Sequence, residues 1–216
     1  KHVSNPKSVL CIAPSNRERI EINEAVRAML REAGHIGERE HSALVLRNSG
    51  VGKSDRKLAL NYHPGQRVFY SKKSRRYGIR AKSFATVVEV NRRDNLVTVR
   101  RDSGGEITYN PKELYGVTTY DVEPRGFSIG DRIQYRAPDD SASKRVPNGA
   151  LGRITAIDNK GVATILLDTA RRGDLPSTID LSRSVQIDHG YAVTSHSSQG
   201  KTVERVFVSV DSVAGS

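Results

Sequence analysis

The sequence has no tryptophan, one methionine and one cysteine in 216 residues. A lone cysteine, Cys11, excludes an internal disulfide framework and a cysteine-built metal cluster. Inside the run "VLCIA" it reads as a small core residue. No apolar run approaches the ~20 residues needed to cross a membrane, and no secretory leader pattern is read, so the expected location is the cytoplasm. Apolar residues make up 36% of the chain. That lean supply fits several small cores better than one large one. Acids are also scarce, with 24 Asp and Glu against 35 Lys and Arg, giving a formal charge of +11 and a pI near 9.9. An excess of that sign points to a polyanion, most often nucleic acid. The charge is local: Arg67 to Arg101 holds eleven Lys or Arg against only Glu89 and Asp94.

The N-terminal stretch "SVLCIAPSNRERIEINEAVRAMLREAG" reads as strand, turn and helix. Val9 to Ala13 is a short continuous apolar run, the pattern of a buried parallel strand. Ser15 and Glu18 have capping-box spacing. Ile22, Val26, Met29 and Leu30 are expected on one helical face, with Gly34 as the stop. The stretch "QIDHGYAVTSHSSQGKTVERVFVSV" returns to the same style, as a strand, a polar turn with a short helix, and a strand at Val206 to Val210.

Between these ends, short alternating runs are punctuated by Gly, Asn, Asp and Pro, and they repeat. "PGQRVFY" matches "IGDRIQY", and "KSFATVVEVNRRDNLVTVRRD" matches "NGALGRITAIDNKGVATILLD". The turns "RRDN" and "DNKG" sit where hairpins are expected. Two successive five-strand units predict a pair of small SH3-like or OB-like barrels, with one larger β-sandwich as the alternative. The expected fold is thus an α/β layer interrupted by an all-β insertion. Segment 1–60 would form the first α/β part, 61–123 a basic first barrel, 124–184 a second barrel, and 185–216 the return to α/β. Strand-like runs at both ends give the chain the look of a piece of a larger protein.

Two Gly-Lys pairs imitate a phosphate loop, G-x-x-x-x-G-K-[ST], whose first glycine lets backbone amides wrap a phosphate. For "NSGVGKSD" that first position is Arg47, and for "SHSSQGKT" it is Ser195. Both fail, and the first also lacks room for the helix whose N-terminus must face the phosphate. In the basic insertion, Lys72, Lys73, Arg75, Arg76, Arg80 and Lys82 lie in or beside one long loop with Tyr70 and Tyr77 interleaved. Such a loop is suited to tracking phosphates while an aromatic ring stacks on a base; a solvated charged loop is the plain alternative. The corresponding loop of the second repeat, "APDDSASKRVPNG", is much less basic.

"GYAVTSHSSQGKTVERVFV" resembles motif V of superfamily 1 DNA helicases of the RecD-like branch, which includes the helicase parts of MobF-type conjugative relaxases. "VLCIAPSNRERIEINEAVRAML" is similar to motif IV and its helix in the same branch. The resemblance covers about 60 residues at the two ends, in the right order. It implies a second RecA-like lobe, partial here, carrying an SH3-like insertion, and an ATP-dependent motor using ATP and Mg in the intact protein. By that resemblance Thr194 and His196 would face the single-stranded DNA backbone. Gln199 and Gly200 would lie at the cleft between lobes, with Lys201 beside them, and Asn16, Arg17 and Arg19 are candidates to approach the nucleotide. It also implies 5′-to-3′ movement. The phosphate loop and metal-binding acids would belong to a first lobe outside this sequence, as would the arginine-bearing motif VI. No His-x-His pair is present for a relaxase metal site. This stretch alone is therefore expected to bind no cofactor and turn over no ATP. The competing expectation is a non-enzymatic nucleic-acid-binding module of tandem barrels.

Overall fold

The computed structural model describes residues 9–139, 145–171, 173–198 and 205–208. Along the chain run β1 (Val9–Ala13), α1 (Asn16–Glu32), β2 (His41–Asn48), β3 (Arg67–Tyr70), β4 (Ser83–Asn91), β5 (Leu96–Arg101), β6 (Glu106–Tyr109) and β7 (Val117–Phe127). There follow β8 (Arg132–Tyr135), β9 (Leu151–Ile157), β10 (Val162–Leu167), β11 (Ser177–Asp180), β12 (Ser184–Val185), β13 (Ile187–His189), β14 (Ala192–Thr194), α2 (Ser195–Ser198) and β15 (Arg205–Val208). The protein is mostly β, with one long helix among the described residues. Two compact units form: Val45–Pro124, and a second assembled from Lys1–Leu44 with Arg125–Ser216. The four consecutive segments expected from sequence are thus gathered into two units, and the second repeat falls in with the α/β ends.

The repeat is real at the level of single hydrogen bonds. Strands β7-β3-β4-β5-β6 and β13-β8-β9-β10-β11 are neighbours in the same order in their respective sheets. Gly65 N–H donates to Val87 O and Val87 N–H to Gln66 O; Gly130 and Ile154 make the same pair of bonds with Ile154 O and Asp131 O. Arg67 pairs with Asp102, and Arg132 with Asp168. The sequence pairing of Lys82 with Asn148 is one residue out on β4. Val87 corresponds to Ile154, while the closing Asp102 corresponds to Asp168, because the second hairpin is one residue shorter.

Each sheet buries one face, as a period of two requires. In the Val45–Pro124 unit, Val68, Tyr70, Ala85, Val87, Val97, Val99 and Tyr109 form the core. On the opposite face Phe69, Phe84 and Tyr120 are only half-buried, with Phe69 and Phe84 ring centroids 4.9 Å apart. The equivalent positions of the second repeat, Gln134, Leu151 and Gly190, are buried. Leu151 packs with Leu10 of β1 and Val193 of β14. The second repeat is therefore buried on both faces, which is why it cannot be separated from the helical end.

Helix α1 begins as expected, with Ser15 and Glu18 closing a capping box. Its inward side differs from the apolar stripe expected. Ile22, Val26 and Leu30 are half-buried, Met29 is 63% exposed, and the fully buried positions are Arg19 and Asn23. Among the described residues, no helix is long and apolar enough to cross a membrane.

Candidate nucleic-acid interface

Two surfaces carry the residues singled out in the sequence, one in each unit. In the helical unit, β1 lies between β14 and β15, parallel to both. Ala13 is in register with Thr194, so these two strands end side by side at one carboxyl edge. From that edge β1 leads through Ser15 into α1, and β14 leads directly into the short α2. The approach to β14 is tight. β13 pairs antiparallel with β8, and at Gly190 the chain leaves that sheet for the parallel one. A Cβ on Gly190 would lie 2.6 Å from the carbonyl carbon of Ile133 and 2.9 Å from Gln134 N, so only glycine lets the backbones cross.

At this edge Asn16 is exposed, its Oδ1 accepting from Arg19 Nε at 2.9 Å. Arg17 is also exposed and pairs with Glu21 at 3.0 Å. Arg19, expected near a nucleotide, is instead buried at 2% exposure, with its guanidinium 2.8 Å from Asp188. The correction has a simple cause: Asp188 arrives from a strand 169 residues later, so nothing near Arg19 in sequence announces its partner. Thr194 is half-buried at the end of β14. His196 falls within α2, but its side chain lies outside the described residues, as do Gln199, Gly200 and Lys201 entirely.

Behind the edge is a polar interior that sequence reasoning missed. Asn23 Oδ1 accepts from Tyr191 N (2.8 Å) and Ala192 N (2.9 Å), while Nδ2 donates to Ala192 O (3.1 Å) and Arg19 O (2.7 Å). One fully buried side chain thus pins α1 to the strand that ends in Thr194. One turn further on, Arg27 Nε donates to Asp131 at 2.9 Å, and Tyr191 OH donates to the same carboxylate at 2.7 Å. Arg19, Asn23 and Arg27 are spaced by four residues, so the legible signal was a polar stripe at helical spacing. Burial pushes the Asp188 carboxyl upward, but Arg19 and Arg125 beside it prevail and hold it below its ordinary value.

His189 is buried between Phe127 and Tyr191. Its Nε2 is 3.0 Å from Gly126 O, whereas Nδ1 has no hydrogen-bond partner. Burial lowers its pKa from the ordinary 6.5, against the opposing pull of Asp131. The unfolded chain therefore binds a proton that the folded chain refuses, and stability falls as pH drops below about 6.5 towards the folded value. The melting temperature is expected to fall between pH 7.5 and 5.5, and His189→Gln, which keeps a donor for Gly126, to flatten that slope. An unchanged slope in the variant would show that His189 does not govern it.

The basic surface belongs to the other unit. Lys72, Lys73, Arg75, Arg76, Arg80 and Lys82 are all exposed. Their loop is ordered by a Ser74–Ile79 bridge and by Ile79 buried in the core. Arg76 is 2.5 Å from Glu113 and lies 5.2 Å over the Tyr77 ring. The two aromatics expected to stack on bases do not present free faces. Tyr70 is 2% exposed, its hydroxyl 2.8 Å from that of Tyr109. Tyr77 is half-buried against Tyr109, with its hydroxyl donating to Glu113. Strand alternation turns Tyr70 inward, and the core needs the bulk of Tyr77 where the loop closes. The exposed ring beside this loop is Tyr115, at 68% exposure, which sequence reading passed over. The "NSGVGKSD" loop runs from the end of β2 into a single 3-10 turn at Asp55–Lys57, not a phosphate-facing α-helix.

No family model and no curated protein matches this sequence. Among solved structures the chain is similar to the Pif1 helicase from Bacteroides in complex with ADP-AlF3 and ssDNA: 16% identity, 98% of this chain and 36% of that one covered, TM-score 0.25. It is also similar to Bacteroides Pif1 bound to ssDNA, with 14% identity, 98% and 37% coverage and a TM-score of 0.24. A third likeness is to unliganded Pif1 from Bacteroides, at 16% identity, 94% and 46% coverage and a TM-score of 0.22. The chain thus spans less than half the length of each. TM-scores of this size are too low to carry a fold assignment, which rests on the strand order and register above.

Proposed function

We propose that this chain is part of the motor of an ATP-dependent superfamily 1 DNA helicase of the RecD-like or conjugative-relaxase type. In this reading the helical unit holds most of a second RecA-like lobe, and the two repeats are SH3-like insertions. The observation that carries it is the register of Ala13 with Thr194. Two segments about 180 residues apart, which resemble motifs IV and V, end together at the carboxyl edge of a parallel sheet, where open α/β sheets bind their ligands. Thr194 and His196 would hold the sugar-phosphate backbone of single-stranded DNA, and Gln199, Gly200 and Lys201 would sense nucleotide phosphates. Asn16 and Arg17 stay available for that edge. Arg19 takes a positioning role, fixing α1 through Asp188. The exposed loop cations from Lys72 to Lys82 would add a second hold on the strand. ATP with Mg would be bound between this lobe and a first lobe supplied by other parts of the intact protein.

The purified chain is expected to bind oligo-dT with an affinity that falls steeply with salt. Four loop–phosphate contacts would give a log–log slope near −2.8, from about −0.7 per contact on single strands. Changing Lys72, Lys73, Arg75 and Arg80 to Gln should remove most of that slope. It should hydrolyse no ATP, because neither Gly-Lys pair completes a phosphate loop. Salt-independent binding would refute the loop assignment, and ATP turnover by pure chain would refute the division of the site between lobes. A second reading, a non-enzymatic nucleic-acid-binding module, is favoured by the Val45–Pro124 unit being compact on its own. The coding sequence upstream separates the two: a complete phosphate loop supports the motor.

A further inference from the structure

The Val45–Pro124 unit holds a pocket of about 400 Å³ lined by Lys53, Arg56, Lys57, Ser71, Leu114, Tyr115, Gly116, Val117 and Thr118. Three of these residues are cations and none is a carboxylate. The floor is apolar, since Leu114 and Val117 belong to the core beneath. One wall is the exposed Tyr115 ring, and Lys57 Nζ lies 5.9 Å from its centroid. Arg56 forms the opposite wall and is fixed: Nε donates to Val51 O at 2.7 Å and Nη1 to Val117 O at 2.6 Å. Gly116 keeps the pocket open. Its φ is +70°, and a Cβ there would sit 2.4 Å from Ser71 Oγ and 3.0 Å from Lys72 Cγ. Only glycine adopts that turn while leaving room for its neighbours.

An exposed aromatic plane, an apolar floor and a cationic rim without carboxylates match one chemistry: a base with its phosphate. The volume lies in the range of small-molecule sites. We propose that this pocket seats one nucleotide of a single-stranded DNA, its base stacked on Tyr115 and its phosphate held by Lys53 and Lys57. The proposal rests on the single-strand-binding reading above and adds to it a site distinct from the 72–82 loop. Lys72, which touches Gly116, joins the two surfaces, so a strand leaving the pocket runs onto the loop cations. The Gly-Lys-Ser of "NSGVGKSD" thereby has a use unrelated to a phosphate loop: it carries Lys53 to the rim.

The test is photocross-linking of the whole chain to oligo-dT bearing 5-iodouracil, with the adduct mapped by mass spectrometry, alongside anisotropy titrations of variants. The adduct is expected on Tyr115. Tyr115→Ala should weaken binding by about tenfold, within the range of one lost base stack, and Tyr115→Phe should keep it. Lys53→Gln with Lys57→Gln should reduce the salt slope by about 1.4. Circular dichroism checks that each variant is folded, which exposed side chains should permit. If the wild type binds but cross-links only within 72–82, and Tyr115→Ala binds equally well, the pocket is overturned while the single-strand reading stands. If the wild type binds no oligonucleotide at low salt, both fall together.

Discussion

Asp188→Ala is expected to destabilise the helical unit by about 3–5 kcal/mol, the usual cost of leaving buried charge unpaired. Asp188 is the shared partner of Arg19 and Arg125, which are 2% and 12% exposed. Removing it strands two guanidinium groups where water cannot reach them, and Arg19 Nη1 already lacks a partner. The pH dependence has a definite sign. The folded carboxyl lies below its ordinary 3.8, so its contribution is present above that value and is lost as pH falls through the folded pKa. Wild type should therefore lose this contribution only in strong acid, whereas the alanine variant lacks it at every pH. Hydrogen exchange is the fitting measurement, because a chain of two units need not unfold in one step. Peptides from α1 and β13 should open in the variant while β3–β6 keep their protection. Unchanged protection in α1 would mean that the two arginines find other partners.

Asn23→Ala should cost roughly 2–6 kcal/mol, from two buried N–H groups orphaned at ~1–3 each. The side chain makes four hydrogen bonds to backbone, three of them to Tyr191 and Ala192. Its loss frees the start of β14 from α1. The functional consequence is specific: the strand that ends in Thr194 loses its fixed position, whereas the basic loop and the Tyr115 pocket keep theirs. Single-strand affinity should fall in part, with the cross-link at Tyr115 retained. Asn23→Asp is the informative companion. It keeps the acceptor for both amides but gives up the donor to Ala192 O and buries a charge, so it should rescue little. A fully stable Asn23→Ala chain would show that Tyr191 and Ala192 are held by their strand neighbours alone.

These interior polar groups mark the limit of what could be read along the chain. A helix that buries Arg19, Asn23 and Arg27 reads from sequence as an amphipathic helix with an apolar face at Ile22, Val26, Met29 and Leu30. The apolar residues were counted correctly and assigned to the wrong side. Polar groups are buried only when partners satisfy them, and here the partners Asp131, Asp188 and Tyr191 lie over 100 residues away. The same limit applied to the aromatics. Tyr70 and Tyr77 stand among the loop cations in sequence, but strand alternation and core packing take both inward and leave Tyr115 exposed.

By itself the sequence determined the local structure and the repeat. The capping box at Ser15, the apolar strand at Val9–Ala13, the hairpins and the matching glycines at 65 and 130 each depend on neighbours a few residues apart, which the chain order displays. Clustering of charge between Arg67 and Arg101 was equally plain. Only the tertiary structure decided which repeat stands alone and which is buried on both faces, because that depends on β1 and β14 meeting Leu151 from opposite ends of the chain. It also decided that Arg19 faces Asp188 and that Lys53, Lys57 and Tyr115 surround one pocket. Contacts between distant segments are set by how whole faces pack, and no local pattern records them.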